Sequence, residues 1–238
     1  MQLDPVTHQM TAIVLAGDRT KADSLINHTA AGSKAMIDLD GTPMVRRVLN
    51  SLRAARVVGN IRLAGPEASE VATDAELKAW IDNGEIYWSE PGISPSTSAY
   101  NAMLGLDAED SVLLTTADHP LLTPEIVDAF GRQSLVDDVD VTVGLAPYPL
   151  IAETFWRRIE QERKKPLVVI GLLGWSAVIR YRLGLLSLEE ALAKLSKRLG
   201  LRIRAVILPY ANAAIDVDSI ADLMLVKGAL EKAAAEDA

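Results

Sequence analysis

Residues 11–34 read TAIVLAGDRTKADSLINHTAAGSK, an apolar run followed by a long polar stretch that ends at a lysine. The run TAIVL is continuous, β-branched and closed by Ala16-Gly17, a pattern typical of a buried parallel strand. Residues 18–33 show no clear periodicity and are predicted to be a loop; loops this long inside a compact domain are usually functional or disordered. The stretch therefore predicts a strand whose carboxyl end opens into a functional loop.

Strands and helices alternate over the first 145 residues, which predicts an α/β fold with a mostly parallel central sheet flanked by helices. Predicted strands cover residues 11–15, 60–64, 84–88, 111–115, 140–144 and 204–208, and predicted helices cover residues 44–55, 68–82, 97–106, 124–133, 153–164, 171–183, 187–199 and 219–232. The C-terminal third is therefore mostly helical. Because no repeat or linker interrupts the chain, we expect a single domain over residues 1–238, with a flexible N-terminus at residues 1–10 and a helical part at residues 150–200.

Composition excludes several classes of function. A net charge of −8 disfavours a nucleic-acid-binding surface, which needs a positive field. The absence of cysteine excludes a thiolate zinc site and a cysteine nucleophile. The start of the chain has no signal-peptide pattern, and the longest apolar run, residues 167–178, is too short to span a bilayer. We expect a cytoplasmic protein that binds neither membrane nor nucleic acid.

Three groups of candidate functional residues follow predicted strands, and ligands of open parallel sheets bind at that edge. The first is Leu15-Ala16-Gly17 with Arg19 and Lys34. Small residues let backbone N–H groups approach a phosphate, and the two cations suit phosphate oxygens. A tight turn with solvated charges is the alternative.

The other two groups are acidic. Asp118 is followed by His119 and could bind Mg²⁺ as a hard oxygen ligand, or cap a turn. His119 could be a general base or a structural residue. Asp216 and Asp218 point the same way in an extended chain, so one could complete a metal site with Asp118 while Asp218 or a neighbouring serine caps the last helix.

A polar cluster that includes Ser98 and Asn101 could bind a base or a ribose, or could simply solvate a loop.

Three segments, taken in order, carry a resemblance to a known family: LAGDR…SKAMIDLDGTPMVRRVL at residues 15–49, LLTTADHPLL around Asp118 and AAIDVDSIADL around Asp216. They resemble the MobA-like NTP transferases. These proteins have a Rossmann-like fold of the glycosyltransferase-A, nucleotide-diphospho-sugar transferase type. Two departures are clear. Asp18 stands where the family usually has a second glycine, so either Asp18 turns outward or the loop binds nucleotide differently. The region at residues 148–153 is short, so the acceptor cannot be carried over.

The resemblance implies a nucleotidyltransferase of the EC 2.7.7 type, which moves an NMP group from an NTP to a small phosphorylated acceptor and releases pyrophosphate. It implies that the backbone of Leu15, Ala16 and Gly17 holds the nucleotide, that Arg19 and Lys34 hold its phosphates, and that Asp118 and Asp216 bind Mg²⁺. Two alternatives stay open: a non-catalytic nucleotide-binding or regulatory protein, and a nucleotide-sugar-dependent glycosyltransferase.

Overall fold

A computed structural model describes residues 9–18, 24–29, 31–136, 139–145 and 187–236. The strands are β1 (Met10–Leu15), β2 (Asp38–Leu39), β3 (Thr42–Pro43), β4 (Val58–Ala64), β5 (Tyr87–Ser89), β6 (Val112–Thr116), β7 (Val141–Leu145) and β8 (Ile203–Ile207). The helices are α1 (Ser24–Thr29), α2 (Met44–Ala54), α3 (Ala68–Val71), α4 (Ala75–Asp82), α5 (Pro95–Met103), α6 (Pro124–Ser134), α7 (Leu188–Leu199) and α8 (Ile220–Glu236). No helix in these ranges is long and apolar enough to cross a membrane.

The chain divides into two compact units. The first comprises residues 1–131 and 215–238, and the second comprises residues 132–214. The single domain predicted from the sequence stays a prediction. The helices predicted at residues 153–164 and 171–183, and the short region at residues 148–153, lie outside the described residues.

Four parallel strands form the sheet of the first unit, in the order β5, β4, β1, β6. Strand β1 pairs with a neighbour on each side, and Ala12, Ile13 and Val14 are fully buried. A strand in this position is covered on both faces, which explains why its sequence is apolar apart from the buried Thr11. The predicted mostly parallel sheet is confirmed.

Helices cover both faces of this sheet. Alternate side chains of β1 point to opposite sides, and those on each side pack against a helix. Ala12 and Val14 belong to the larger core cluster, where α2 contributes four buried aliphatic residues at helical spacing: Val45, Val48, Leu49 and Leu52. Ile13 packs on the other face with Ala102 of α5. The predicted flanking helices are therefore confirmed.

The predicted loop at residues 18–33 contains a helix, so this part of the prediction is wrong. Helix α1 forms there because Leu25 is fully buried in a second core cluster, together with Leu223 and Val226 of α8. A six-residue helix is marginal in isolation and depends on such tertiary packing. The long helix predicted at residues 68–82 is also wrong, because Asp74 caps a new helix by accepting the Leu77 N–H at 2.8 Å.

The second unit contains a parallel pair of strands, β7 and β8, together with α7. Ser187 caps α7 by accepting the Glu190 N–H at 3.2 Å, and the Glu190 carboxylate accepts the Ser187 N–H in return. This is the capping box predicted from the spacing of the two residues. Asp140, before β7, accepts hydrogen bonds from the backbone and side chain of Arg202, before β8.

Candidate active site

The ends of β1 and β6 place two of the three predicted groups side by side. The strands are parallel and in register, with Leu15 opposite Thr116, and the Ala117 N–H donates to the Leu15 carbonyl at 2.9 Å. Gly17 and Asp118 therefore follow directly at the same edge of the sheet. Such an edge is where open parallel sheets bind ligands.

The third predicted group reaches this edge from the C-terminal part of the chain. The Val217 N–H donates to the Asp118 carbonyl at 2.9 Å, and His119 Nδ1 lies 3.2 Å from the Ile215 carbonyl oxygen. These two contacts hold the DVD segment, residues 216–218, alongside Asp118. One carboxylate oxygen from each of Asp118, Asp216 and Asp218 lies within 4.8 Å of the others.

The last helix is capped by Ser219, which resolves the alternative between Asp218 and its neighbour. Ser219 Oγ accepts the Asp222 N–H at 3.3 Å, and the Asp222 carboxylate accepts the Ser219 N–H at 2.7 Å. This reciprocal pair is a capping arrangement at the start of α8. The side chain of Asp218 instead accepts a hydrogen bond from Lys34.

Lys34 connects the acidic residues. Its Nζ donates to Asp118 Oδ2 at 2.7 Å and also to Asp218 Oδ1, and the lysine side chain is 17% exposed. Burial disfavours the charged ammonium, but the two carboxylates outweigh that effect and raise the pKa of Lys34 above its ordinary value. Lys34 is therefore a permanent cation at neutral pH.

Asp118 is held in its ionised form. Burial opposes the charge, but the charge and hydrogen bond of Lys34, followed by a hydrogen bond from the Thr116 hydroxyl, lower the pKa of Asp118 below its ordinary value. Lys34 approaches Oδ2, whereas Thr116 donates to Oδ1. An ionised carboxylate with a fixed orientation is a suitable ligand for a hard cation.

An open cleft lies beside these groups. Five predicted site residues line it: Leu15, Ala16, Gly17, Lys34 and Asp118. Asp18 lines it as well, and its carboxylate accepts the backbone N–H of Lys34 at 3.1 Å. The cleft is thus lined by the end of β1 together with a cation and a carboxylate.

Two glycines allow the backbone to come together at this cleft. A Cβ on Gly17 would lie 2.8 Å from Cβ of Pro91, so the loop after β5 packs directly on Gly17. Gly65 has φ of 85° and lies against the Ala16-Gly17 peptide, where a Cβ would approach the backbone to 2.9 Å. Gly17 is thus required for packing against Pro91, a reason that the sequence did not reveal.

The remaining predicted residues have different positions. Arg19 lies outside the described residues. Ser98 is buried on α5 and its hydroxyl accepts the Gly92 N–H at 2.9 Å, while Asn101 is exposed one turn further along. Neither Ser98 nor Asn101 lines the cleft described above. Ser98 thereby fixes the loop that packs on Gly17, and a role for either residue in binding nucleotide stays a prediction.

Sequence analysis missed Thr116, and it did not pair Asp218 with Lys34. A threonine two residues before a strand-end aspartate is a weak signal, although its hydroxyl is correctly spaced to reach the carboxylate. No local pattern links Lys34 to Asp218, which are 184 residues apart.

The donor set fits a divalent cation. Three carboxylates of like charge would repel one another without a cation between them, and here an ammonium contacts two of them. Mg²⁺ takes oxygen ligands and is commonly held by one or two carboxylates together with substrate phosphates. Asp118 and Asp216, the ligands predicted from the sequence, are both members of this cluster.

Comparisons of the sequence with known proteins identify a family and a relative. The model of the MobA-like NTP transferase domain matches residues 12–172. The 2-C-methyl-D-erythritol 4-phosphate cytidylyltransferase of Frankia casuarinae is 34% identical over 103 residues, which cover 43% of this chain. The matched region spans 37% of the length of that relative.

Solved structures show the same fold. A hypothetical transferase from Thermus thermophilus has 24% identity and a TM-score of 0.68, and the match covers 90% of this chain and 99% of that protein. The 4-diphosphocytidyl-2C-methyl-D-erythritol synthase of Anaerococcus prevotii has 12% identity and a TM-score of 0.55, with 94% and 96% covered. The family model, which matches well over half of the sequence, shows that this chain belongs to the MobA-like NTP transferases, a family of nucleotidyltransferases.

Proposed function

We propose that this protein transfers a nucleoside monophosphate from an NTP to a small phosphorylated acceptor and releases pyrophosphate, in a reaction that depends on Mg²⁺. One observation carries the proposal: the partly buried ammonium of Lys34 contacts Asp118 and Asp218, and Lys34 and Asp118 line a cleft together with residues 15–17. This combination offers positive charge to phosphates, and carboxylates to a cation. Family membership and the fold support the same reaction class.

In the proposed reaction, an oxygen of the acceptor phosphate attacks the α-phosphorus of the NTP. The bond between the α-phosphorus and the oxygen that bridges to the β-phosphate breaks, and pyrophosphate leaves with that electron pair. Such transfers need little covalent chemistry from the protein, so positioning and charge stabilisation supply most of the catalysis. Mg²⁺, when bound, would neutralise phosphate charge, and Asp118 and Asp216 would hold it.

The chain's own residues have separate roles in this proposal. Lys34 binds phosphate oxygens as a point charge, and Arg19 is proposed to assist it. The backbone at Ala16 and Gly17 holds the nucleotide against the edge of the sheet. Ser98 and Asn101 are proposed to act on the base or ribose side, where Ser98 already fixes the adjoining loop.

The first test measures binding. Adding each NTP together with Mg²⁺ is expected to raise the melting temperature, because a ligand that binds only the native state stabilises it by about 2.7 kcal/mol at a hundredfold excess over Kd. No shift with any NTP at millimolar concentration would argue strongly against the proposal.

The second test measures turnover. Pyrophosphate release is followed with the NTP that binds best and a panel of phosphorylated alcohols and sugars. Asp118→Asn is expected to abolish release while the protein stays folded. Asp82→Asn, which removes a carboxylate from the exposed Lys78 pair on α4, is the matched control and should retain full activity.

The outcomes separate the alternatives. Nucleotide binding without pyrophosphate release for any acceptor would favour the non-catalytic, regulatory protein. Tighter binding of a nucleoside-diphosphate sugar than of any NTP would favour the glycosyltransferase. Turnover that is lost in Asp118→Asn and kept in Asp82→Asn would support the nucleotidyltransferase.

A further inference from the structure

We infer that Lys34 is the resident counter-ion of the acidic cluster, defined as Asp118, Asp216 and Asp218, and that a divalent cation and Lys34 compete for it. The metal would then bind tightly only when the phosphates of a nucleotide draw Lys34 away, so that metal and nucleotide enter the site together. This inference rests on the proposed function, since it concerns the same metal and nucleotide.

The charge balance of the cluster supports the competition. Three carboxylates whose oxygens lie within 4.8 Å of one another attract cations. Lys34 contributes a single positive charge, whereas a divalent cation carries two, so the same carboxylates attract the divalent cation more strongly. The ammonium nevertheless contacts two of the three carboxylates.

Hydrogen bonding at Asp118 indicates which interaction has to break. Oδ2 accepts from Lys34 Nζ at 2.7 Å, and Oδ1 accepts from the Thr116 hydroxyl. Both oxygens of Asp118 are thus hydrogen-bonded. Mg²⁺ requires oxygen ligands at about 2.0–2.1 Å in a nearly octahedral arrangement, and its charge repels an ammonium bound to the same oxygen.

The backbone of Lys34 is held by a hydrogen bond, and its side chain borders the cleft as well as the carboxylates. Its N–H is bound by Asp18 at 3.1 Å, and the next residue, Ala35, is buried in the core. The side chain also lines the cleft beside Gly17. In this proposal the ammonium moves from the carboxylates to a phosphate in that cleft by a change of side-chain rotamer.

The test is Mn²⁺ binding to the full chain without nucleotide, followed by electron paramagnetic resonance of free Mn²⁺. Lys34→Met removes the ammonium and keeps most of the unbranched side chain, and it is expected to bind Mn²⁺ at least tenfold more tightly than the unmodified protein. Lys34→Arg keeps the charge and should stay close to the unmodified protein. Lys78→Met removes an exposed ammonium elsewhere and should change nothing.

Each outcome decides between the claims. Equal or weaker Mn²⁺ binding by Lys34→Met would overturn the inference and leave the proposed reaction standing. Mn²⁺ binding by neither protein would overturn the inference together with the proposed metal site. Circular dichroism checks that the variant is folded, and Lys34→Gln provides a second neutral side chain if Lys34→Met is not.

Discussion

Gly17→Ala tests whether the loop after β5 packs on Gly17, a residue that lines the candidate phosphate cleft. The added Cβ would lie 2.8 Å from Cβ of Pro91, which is closer than such atoms approach in real proteins. The neighbour is a rigid ring with no flexible end to move aside, so the loop has to shift. Overpacking of this kind costs about 1–3 kcal/mol.

The assay is urea unfolding, supported by thermal unfolding. A loss of about 1–3 kcal/mol corresponds to a fall in Tm of roughly 2–12 °C for a protein of this size. Gly228→Ala is the matched control, because nothing lies within 4 Å of an added Cβ at this position in α8. It should stabilise the protein by about 0.5–1 kcal/mol, since alanine favours a helix over glycine.

A double-mutant cycle identifies the contact. Pro91→Gly removes the atom that the new methyl group meets, so the cost of Gly17→Ala should fall by about 0.5–3 kcal/mol in that background. If Gly17→Ala is as stable as the unmodified protein, or if its cost is the same with and without Pro91, then the loop does not pack on Gly17 and the reasoning fails.

Three further predictions concern stability. Asp128→Ala leaves the buried Val57 N–H without the carboxylate oxygen that accepts it at 3.1 Å, so urea unfolding should show a loss of about 1–3 kcal/mol; Asp128→Asn keeps an acceptor and should lose clearly less. Ser187→Ala removes the cap of α7 and should lower the stability of that helix by about 1 kcal/mol. The loss should be measurable as faster amide hydrogen exchange in α7, and unchanged exchange would contradict the predicted role of the cap. Hydrogen bonds from Arg202 lower the pKa of Asp140 in the folded protein. The ionised carboxylate therefore stabilises the folded protein at pH values above its unfolded-state pKa of about 4. This stabilisation is lost as the pH falls through the folded-state pKa of Asp140. The acid-side loss of stability should therefore be smaller in Asp140→Asn, and identical pH profiles would refute the interaction.

The parts of the fold that were predictable are those that a short stretch of sequence encodes. Strand β1 was evident because its run of apolar residues suits only a strand buried on both faces, and the capping box of α7 was evident from the spacing of Ser187 and Glu190. Helix α1 was missed because its stability comes from Leu25 packing against α8, two hundred residues later in the chain. No window of sequence around Leu25 contains that partner.

The candidate site divides in the same way. The strand ends located Gly17 and Asp118, because residues at that edge can be inferred from the order of strands and helices. The use of the DVD segment was left open between metal binding and helix capping. Two contacts decide between these uses of Asp218. Lys34 binds its carboxylate, and Ser219 caps α8 with its own side chain, so Asp218 is not needed as the cap. Both contacts require the folded chain.

Asp18 is the departure from the family pattern that most needs a physical account, since it adds a negative charge where a glycine is expected beside phosphates. Its carboxylate accepts the backbone N–H of Lys34 and its side chain is exposed, so the charge is partly satisfied by that amide. The same hydrogen bond ties the start of the loop to its end and thereby fixes the backbone from which the Lys34 ammonium extends. Asp18 is therefore compatible with an anionic ligand in the cleft, provided that Lys34 supplies the cation that the ligand contacts.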